Sequence, residues 1–396
     1  MEDDLYLIEK SLNHCYALEQ CLISLPNVKT DSELKSLYQA SEYQMNEVGF
    51  YTVSYEEFDY IQNGKKLAEK ISYLSKIYRE VIIKILKIIY QIVYKFLKKL
   101  ADLAEEWLSE YKEITLRLKN YLASLDDFIK QNSIPDLPSS YLSEVLARRM
   151  FTKINGDPQS FDELKKNNKH YKIGISIFND FLIMGKSTLE MSELYINGAS
   201  DVIKISHVAD SKIDQLMSSI VDRMKDVRNH ESSLSHLPLG MSEILLYPRE
   251  KEVVTEAGII KFKSLQSSVK AYENTLTNKQ VPVISVNELR VLLIDEINLS
   301  EYAMNELVKN KDLKSYKSQM DKVLGLLNRK IKQYQNKDDI TISQKDMVGF
   351  LQQKTTDAIS MVDQYLRQIN GVTTSRLKSI ILYTENYMDL LSQHSR

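Results

Sequence analysis

The segment from residue 76 to residue 98 shows one narrow polar stripe on an otherwise apolar helix, and this pattern restricts the fold more than any other. Its polar positions are separated by four, four, three, four, four and three residues, which places them on one line along an α-helix. They are Lys76, Glu80, Lys84, Lys87, Gln91, Lys95 and Lys98. Nearly all other positions are Ile, Leu, Val, Phe or Tyr. We call these seven residues the lysine seam, and we expect their helix to be covered on most sides.

Three placements would suit this helix: across a membrane, along a membrane surface, or inside a helical bundle. Spanning is disfavoured because each Lys or Arg between 76 and 99 would cost about 2.5–3.5 kcal/mol at the bilayer centre. Lying along the interface stays feasible, since lysine side chains can extend from a wide apolar face to the headgroups. An acidic segment that suits pairing within the chain follows at once: Asp102, Glu105, Glu106, Glu110 and Glu113. We therefore favour the central helix of a bundle, with membrane contact as the weaker alternative.

The composition favours long helices around a sizeable core. The chain has 396 residues, 43% of them hydrophobic, with only 7 Pro and 11 Gly. A net charge of −2 gives the molecule as a whole no general attraction for nucleic acid. No stretch approaches the ~18 uninterrupted apolar residues of a spanning helix. The acidic start MEDDLYLIEK lacks the basic region of a secretory signal, so we expect synthesis in the cytoplasm.

Residues with reactive or metal-binding side chains form no recognisable site. Cys15 and Cys21 are six residues apart in a predicted helix, so they point to different faces and we expect two reduced thiols. The six His show no metal-ligand spacing. The pair Asp295-Glu296 has no basic or His neighbour in the sequence and is interpreted as a polar interruption of a buried helix. We expect no enzymatic activity, cofactor, metal or small-molecule substrate.

Capping boxes and β-branched runs predict where helices and strands lie. Capping boxes begin predicted helices at 31–47, 55–130 with a break near Asn63-Gly64, 161–168, 286–335 and 342–370. Further helices are predicted at 3–24, 140–151, 173–235 and 371–393. β-branched residues on both sides of Glu256-Ala257-Gly258 predict a short hairpin near 251–262. The predicted fold is all-α, an elongated bundle of long antiparallel helices with one small β-hairpin insertion.

The same signals divide the chain into four predicted segments. Residues 1–60 are a variable N-terminal region and a candidate propeptide, interrupted at Pro26 and Gly49. Residues 61–245 are a long-helix bundle that contains the lysine-rich amphipathic helix. Residues 246–284 are a strand or hairpin segment, and residues 285–396 form a C-terminal helical segment.

Several pieces occur in an order that is typical of one known family. The lysine-rich helix VIIKILKIIYQIVYKFLKKL precedes the charged helix YKEITLRLKNYL and the Asn-Gly turn in LARRMFTKINGDP. LLYPREKEVVTEAGIIKF, VPVISVNELRVLLIDEI and SRLKSIILYTENYMDLLSQH follow. In order and spacing, about residues 70–394 resemble the internal head proteins (inner-body or core proteins) of giant tailed phages and their large T4-like relatives.

This resemblance implies a non-enzymatic bacteriophage virion protein in the capsid interior, made in the host cytoplasm, trimmed by the prohead protease and delivered with the genome. Its partners would be other capsid-interior proteins, that protease and, without sequence specificity, the packaged DNA. The protease cuts after a Glu two residues beyond a small or aliphatic residue, a pattern that Glu19, Glu42 and Glu56 match. Removing residues 1–19 would change the net charge from −2 to +2, since five acidic residues and one lysine leave.

Two functions from other classes stay open on the sequence alone. One is an α-helical pore-forming or membrane-remodelling protein in which the lysine-seam helix leaves the bundle and inserts. The other is a coiled-coil scaffold protein. Neighbouring genes for capsid, portal or prohead-protease proteins would favour the virion protein, whereas leakage of liposomes at neutral pH would favour the pore-former.

Overall fold

The structure is a computed structural model that describes residues 14, 17–47, 55–62, 64–142, 151, 159–198, 206–230, 242–255, 258–271, 280–336 and 345–394. The helices are α1 (17–24), α2 (Asp31–Glu47), α3 (Tyr55–Ile61), α4 (Leu67–Gln131), α5 (Phe161–Gly198), α6 (Ser206–Asn229), α7 (Val286–Ala303), α8 (Lys311–Asn336) and α9 (Lys345–His394). The strands are β1 (Ser140–Leu142), β2 (Ser242–Thr255), β3 (Gly258–Ala271) and β4 (Gln280–Pro282). Helices dominate, which confirms the predicted all-α class.

Three helices begin where their capping boxes predict. The Ser285 hydroxyl accepts a hydrogen bond from the Glu288 backbone N–H at 3.2 Å, and the Glu288 carboxylate accepts one from the Ser285 N–H at 2.7 Å. The same reciprocal pattern begins α2 and α5, at Thr30 with Glu33 and Ser160 with Glu163. Each box satisfies N–H groups that a helix terminus leaves without partners, so the starts are set locally. The boxes that predict the helices at 55–130 and 342–370 begin at Ser54 and Thr341, which lie outside the described residues.

The predicted helix 55–130 is interrupted near Gly64, as expected. Gly64 has φ +80°, a left-handed backbone conformation that residues other than glycine rarely adopt. α3 therefore ends at Ile61, and α4 begins at Leu67 and continues for 65 residues. At a rise of 1.5 Å per residue, α4 is about 98 Å long.

Other predicted helix boundaries are wrong. The single helix predicted at 286–335 is divided, because α7 ends at Ala303, a π-helical turn follows over Met304–Val308, and α8 begins at Lys311. Residues 140–142 begin no helix, because they form β1 and pair antiparallel with β4, Tyr141 opposite Val281. The predicted helices 161–168 and 173–235 are replaced by α5, which continues to Gly198, and by the separate α6. The predicted helices 342–370 and 371–393 are one helix, α9. Within α5 and α9, the free energy gained by burying a continuous apolar face outweighs the local signals that predicted a break.

The long helices from both halves of the chain share one core. Tyr111 of α4 donates a hydrogen bond to the Asn370 side chain of α9 at 2.9 Å, and its neighbour Thr115 lies 2.8 Å from the Ser300 hydroxyl of α7. The Tyr316 hydroxyl of α8 donates to the Ala358 carbonyl of α9 at 3.1 Å. These buried bonds join residues 185 or more positions apart, apart from the last pair, so they set the register between the helices.

The remaining strands lie beside the helices. β2 and β3 pair antiparallel, with Thr255 opposite Gly258 and Ser242 opposite Ala271, and β3 packs against α9. Each strand has 14 residues, so the paired region is longer than the 251–262 predicted from sequence. The predicted turn residues Glu256 and Ala257 lie outside the described residues.

A fully buried ion pair joins α7 to α9. Glu296 and Arg376 are both 0% exposed, and the Arg376 Nη2 donates to Glu296 Oε1 at 2.6 Å. Arg376 also donates to the Leu164 carbonyl of α5 at 3.2 Å, and its guanidinium lies 5.1 Å from the centre of the Tyr171 ring. No partner for Glu296 is evident in the neighbouring sequence, because its partner lies 80 positions along the chain.

Candidate functional site

The whole lysine seam is exposed to solvent along the first half of α4. Gln91 and the 54%-exposed Tyr94 fill the interval between Lys87 and Lys95. The apolar side chains of the other faces are buried, among them Tyr78, Val81, Ile82, Ile85, Leu86, Ile89, Val93, Phe96 and Leu97. This segment of α4 therefore shows solvent a narrow cationic surface and keeps its apolar surface inside the bundle.

Most seam lysines have no acidic partner among the described residues. Lys76, Lys87, Lys95 and Lys98 form no ion pair there, and neither does the adjacent Lys99. The acidic segment 102–113, which we expected to pair with them, contributes one ion pair within the described chain, from Glu110 to Lys378 of α9 at 2.7 Å. Only Asp102 lies within one turn of the seam, four residues beyond Lys98, and the rest of that segment is further along the same helix. Most of the positive charge of the seam is therefore not offset by a carboxylate in the described part of the chain.

A second basic helix packs against this part of α4. α8 contains seven Lys or Arg and two Asp, a net charge of +5, and it contacts α4 directly. Its exposed basic residues are Lys311, Lys314, Lys322, Arg329 and Lys332. Burial lowers the pKa of Lys317, and the nearby Glu105 of α4 opposes that shift. Tyr334, near the end of α8, contacts Glu19 of α1, and Cys21 of α1 lies by Tyr78, near the beginning of α4.

The N-terminal helices cover the apolar face of α4 where α4 begins. The Ser41 hydroxyl of α2 lies 2.6 Å from the Tyr78 hydroxyl, and burial raises the pKa of Tyr78. Lys70 donates to Asp59 of α3 at 2.7 Å and to Asp31 of α2 at 3.1 Å. These two hydrogen bonds, that of Asp59 foremost, raise the pKa of Lys70. A buried hydrogen bond between hydroxyls holds α2 against α4, and the charged contacts of Lys70 hold both α2 and α3 against it.

The three candidate cleavage positions all lie within helices. Glu19 of α1 is 1% exposed and accepts a hydrogen bond from the Tyr334 hydroxyl of α8. Glu42 is half-buried in α2, and Glu56 belongs to α3. The 3₁₀ turn Leu25–Asn27 is a break in the helices, yet none of the three residues lies in it. A protease draws an extended chain into its cleft, so cutting at these positions requires α1–α3 to be undocked or not yet folded.

Cys21 of α1 reports whether this N-terminal cover stays in place. Cys21 is 8% exposed, and burial raises the pKa of its thiol to about 11. In a chain carrying Cys15→Ser, we expect alkylation by iodoacetamide at pH 8 to be roughly two orders of magnitude slower than for a free cysteine, because the reactive thiolate is scarce. Alkylation in guanidinium chloride should be fast. Equal rates in the native and unfolded protein would show that α1 does not pack as described.

Neither a metal centre nor a membrane span is found in the described part of the chain. No three His, Cys, Asp or Glu side chains there are close enough to share an ion, and no helix there combines the length and hydropathy that crossing a bilayer needs. Comparison with known proteins matches the chain to no family model, no curated protein and no solved structure.

Proposed function

We propose that this chain is a non-enzymatic internal virion protein of a tailed phage, packaged in the capsid interior and released with the DNA. The order of elements over about residues 70–394 supports this function by resemblance. The structural observation that supports it best is the exposed seam of α4, most of whose lysines form no ion pair with a described residue, while the apolar faces of the helix are buried. A cationic surface on a folded bundle suits a compartment filled with polyanionic DNA.

For the architecture, we propose an elongated bundle of long antiparallel helices into which β2 and β3 insert as a hairpin. α4 and α9 have 65 and 50 residues, which gives them lengths of about 98 and 75 Å. Both are far longer than the diameter of about 30 Å that a small domain reaches. Small-angle X-ray scattering of the purified protein measures this shape, and a maximum dimension well below 98 Å would contradict the proposal.

The virion-borne form is expected to lack the N-terminal region, with its first residue after Glu19, Glu42 or Glu56. Residues 1–56 contain ten acidic and three basic residues, so cutting after Glu56 would change the net charge from −2 to +5. The mature chain would then be attracted to packaged DNA rather than repelled by it. Mass spectrometry of purified virions measures the new terminus.

The matched control is a phage whose chain carries Glu19→Gln, Glu42→Gln and Glu56→Gln together. This variant removes the carboxylates that the protease pattern requires and changes no backbone conformation, so it should retain its N-terminus in virions. Peptides that cross all three positions at full abundance in the parent virion would rule out proteolytic maturation. Absence of the chain from purified virions would rule out the proposed function.

A second candidate function is membrane association. The breadth of the apolar face of α4 favours it, because that face would be strongly amphipathic if α1–α3 and α8 moved away. Leakage of dye from liposomes on addition of the purified protein at neutral pH would support this function over the virion protein. Intact liposomes at micromolar protein would leave the first proposal in place.

A further inference from the structure

The charges of this chain are segregated although the whole molecule is nearly neutral. Residues 76–99 of α4 contain seven Lys or Arg and one Glu, a net charge of +6, and α8 adds +5. Residues 1–61 contain twelve acidic and three basic residues, a net charge of −9. The two basic segments are 212 or more positions apart in the sequence, yet the fold packs them side by side. Net charge therefore conceals a strongly basic region.

The basic side chains of this region are available to a ligand. On α4 the lysines at 76, 87, 95, 98 and 99 are exposed, and on α8 so are Lys311, Lys314, Lys322, Arg329 and Lys332. None of these α8 residues forms an ion pair with another described residue. Other basic residues of the bundle differ in this respect, since Lys119, Arg290 and Lys378 each lie 2.7 Å from a carboxylate.

The dimensions of the region suit a nucleic-acid backbone. From Lys76 to Lys99 the rise along α4 is about 35 Å, and from Lys311 to Lys332 along α8 it is about 32 Å. A DNA duplex carries one charge per about 1.7 Å of its axis. This length therefore corresponds to about one helical turn, which carries some 20 phosphates on its two strands. A straight and rigid row of lysines can contact several phosphates with little loss of conformational freedom on binding.

A membrane surface is a poorer ligand for the same residues. A helix that binds at a lipid interface inserts an exposed apolar face between the headgroups. Here the apolar face of α4 is buried against other helices, with Ile82, Leu86 and Val93 all 0% exposed. The charged surface alone would make only a weak, screened contact with lipid.

We infer that the exposed basic faces of α4 and α8 bind the phosphate backbone of double-stranded DNA without sequence specificity. This inference deepens the proposed function and rests on it only for the identity of the DNA, which would be the packaged genome. Binding itself is a property of the purified full-length chain. The acidic N-terminal region limits the net attraction, so the affinity should be that of a moderate non-specific binder, with a Kd on the order of 10⁻⁶–10⁻⁵ M near physiological salt.

Fluorescence anisotropy of a labelled 30-base-pair duplex tests this inference with the full-length protein. If about six basic groups contact phosphates, log Kd should rise with log salt concentration with a slope of about 5, a loss of roughly 10³-fold in affinity between 50 and 200 mM salt. The triple variant Lys87→Glu, Lys95→Glu and Lys98→Glu should weaken binding at least tenfold and reduce the slope by about 3. Lys314→Glu, Lys322→Glu and Lys332→Glu on α8 should act similarly.

The matched control is Lys165→Glu, Lys166→Glu and Lys169→Glu on α5. These lysines are exposed, the variant changes the net charge by the same six units, and all three belong to α5 rather than to α4 or α8. It should weaken binding less than threefold. Circular dichroism should show unchanged helix content for all three variants, since every replaced side chain is exposed.

Three results would overturn the inference. One is no duplex binding by the parent chain at 50 mM salt, and another is an equal loss in the α5 control, which would assign binding to net charge alone. The third is sedimentation of the chain with phosphatidylserine–phosphatidylcholine vesicles but no binding to the duplex, which would favour lipid. A chain that is found in virions yet binds no duplex would leave the proposed function standing. A chain that binds the duplex yet is absent from virions would contradict the proposed function and leave the inferred DNA binding in place.

Discussion

Replacing Arg376 by alanine should lower the free energy of unfolding by about 3–5 kcal/mol, the cost of removing one partner of a buried ion pair. Both Arg376 and Glu296 are 0% exposed. The guanidinium donates to the same carboxylate oxygen twice, from Nη2 at 2.6 Å and from Nε at 3.1 Å. Without it the Glu296 carboxylate stays in the core with no compensating charge, and the Leu164 carbonyl loses a donor.

Urea denaturation followed by circular dichroism measures this loss, and the chain offers a matched control. Arg290 also joins two helices, since its Nε lies 2.7 Å from Asp126 of α4, but its side chain is 44% exposed. Arg290→Ala should therefore cost less than about 1 kcal/mol. A cost for Arg376→Ala as small as that of the control would contradict the buried position of the pair.

A double replacement separates the charge from the space that the pair occupies. Arg376→Met combined with Glu296→Leu removes both charges and keeps most of the volume, so it should restore most of the stability that Arg376→Ala loses. The single change Glu296→Leu leaves the guanidinium unpaired and should be as harmful as Arg376→Ala. Equal losses in the double variant and in both single variants would show that packing volume, rather than charge, governs this position.

Replacing Gly185 by leucine should destabilise the protein by about 3 kcal/mol or more, because three helices meet at this residue. A Cβ atom on Gly185 of α5 would lie 2.8 Å from Val362 Cγ2 of α9 and 3.0 Å from Tyr316 Cε2 of α8. Val362 and Tyr316 are both 0% exposed, and the Tyr316 hydroxyl is bonded to Ala358, so neither side chain can move aside easily. The backbone of α5 would have to shift instead.

Alanine at three helical glycines gives a test with opposite signs. Gly185→Ala should destabilise by about 1 kcal/mol or more, because the clash with Val362 exceeds the gain in helix propensity. At Gly325 of α8 and Gly371 of α9 a Cβ atom would meet no atom within 4 Å. Gly325→Ala and Gly371→Ala should therefore each stabilise by up to about 1 kcal/mol, through helix propensity alone. A stabilising Gly185→Ala would contradict the close approach of the three helices.

Features that depend on neighbouring residues could be predicted from the sequence. The box at Ser285 with Glu288 places the start of α7, and the backbone freedom of Gly64 places the break before α4. The step of three and four residues places the lysine seam on one face of α4. In the structure all seven seam residues, from Lys76 to Lys98, are exposed. Each of these follows from geometry within one or two helical turns.

Some local signals were misleading because burial overrode them. Gly371 lies inside α9, where we expected one helix to end and another to begin. Glycine in a helix costs about 1 kcal/mol relative to alanine, and burying a continuous packed face stabilises the helix by more than that. Residues 140–142 have a helical pattern but form a strand, because β4 supplies backbone partners from 140 positions away. In both places the deciding contact lies beyond the reach of a local pattern.

By itself the sequence determined the helical class, the helix starts at capping boxes and the polar stripe of α4, because backbone hydrogen bonds and side-chain periodicity act over a few residues. Only the tertiary structure decided that Glu296 finds Arg376, that Glu19 is buried beneath Tyr334, and that α8 brings a second basic face beside the seam. These pairings join residues 80 to 315 positions apart. Their partners are selected by how whole helices pack, and no spacing within one helix encodes that choice.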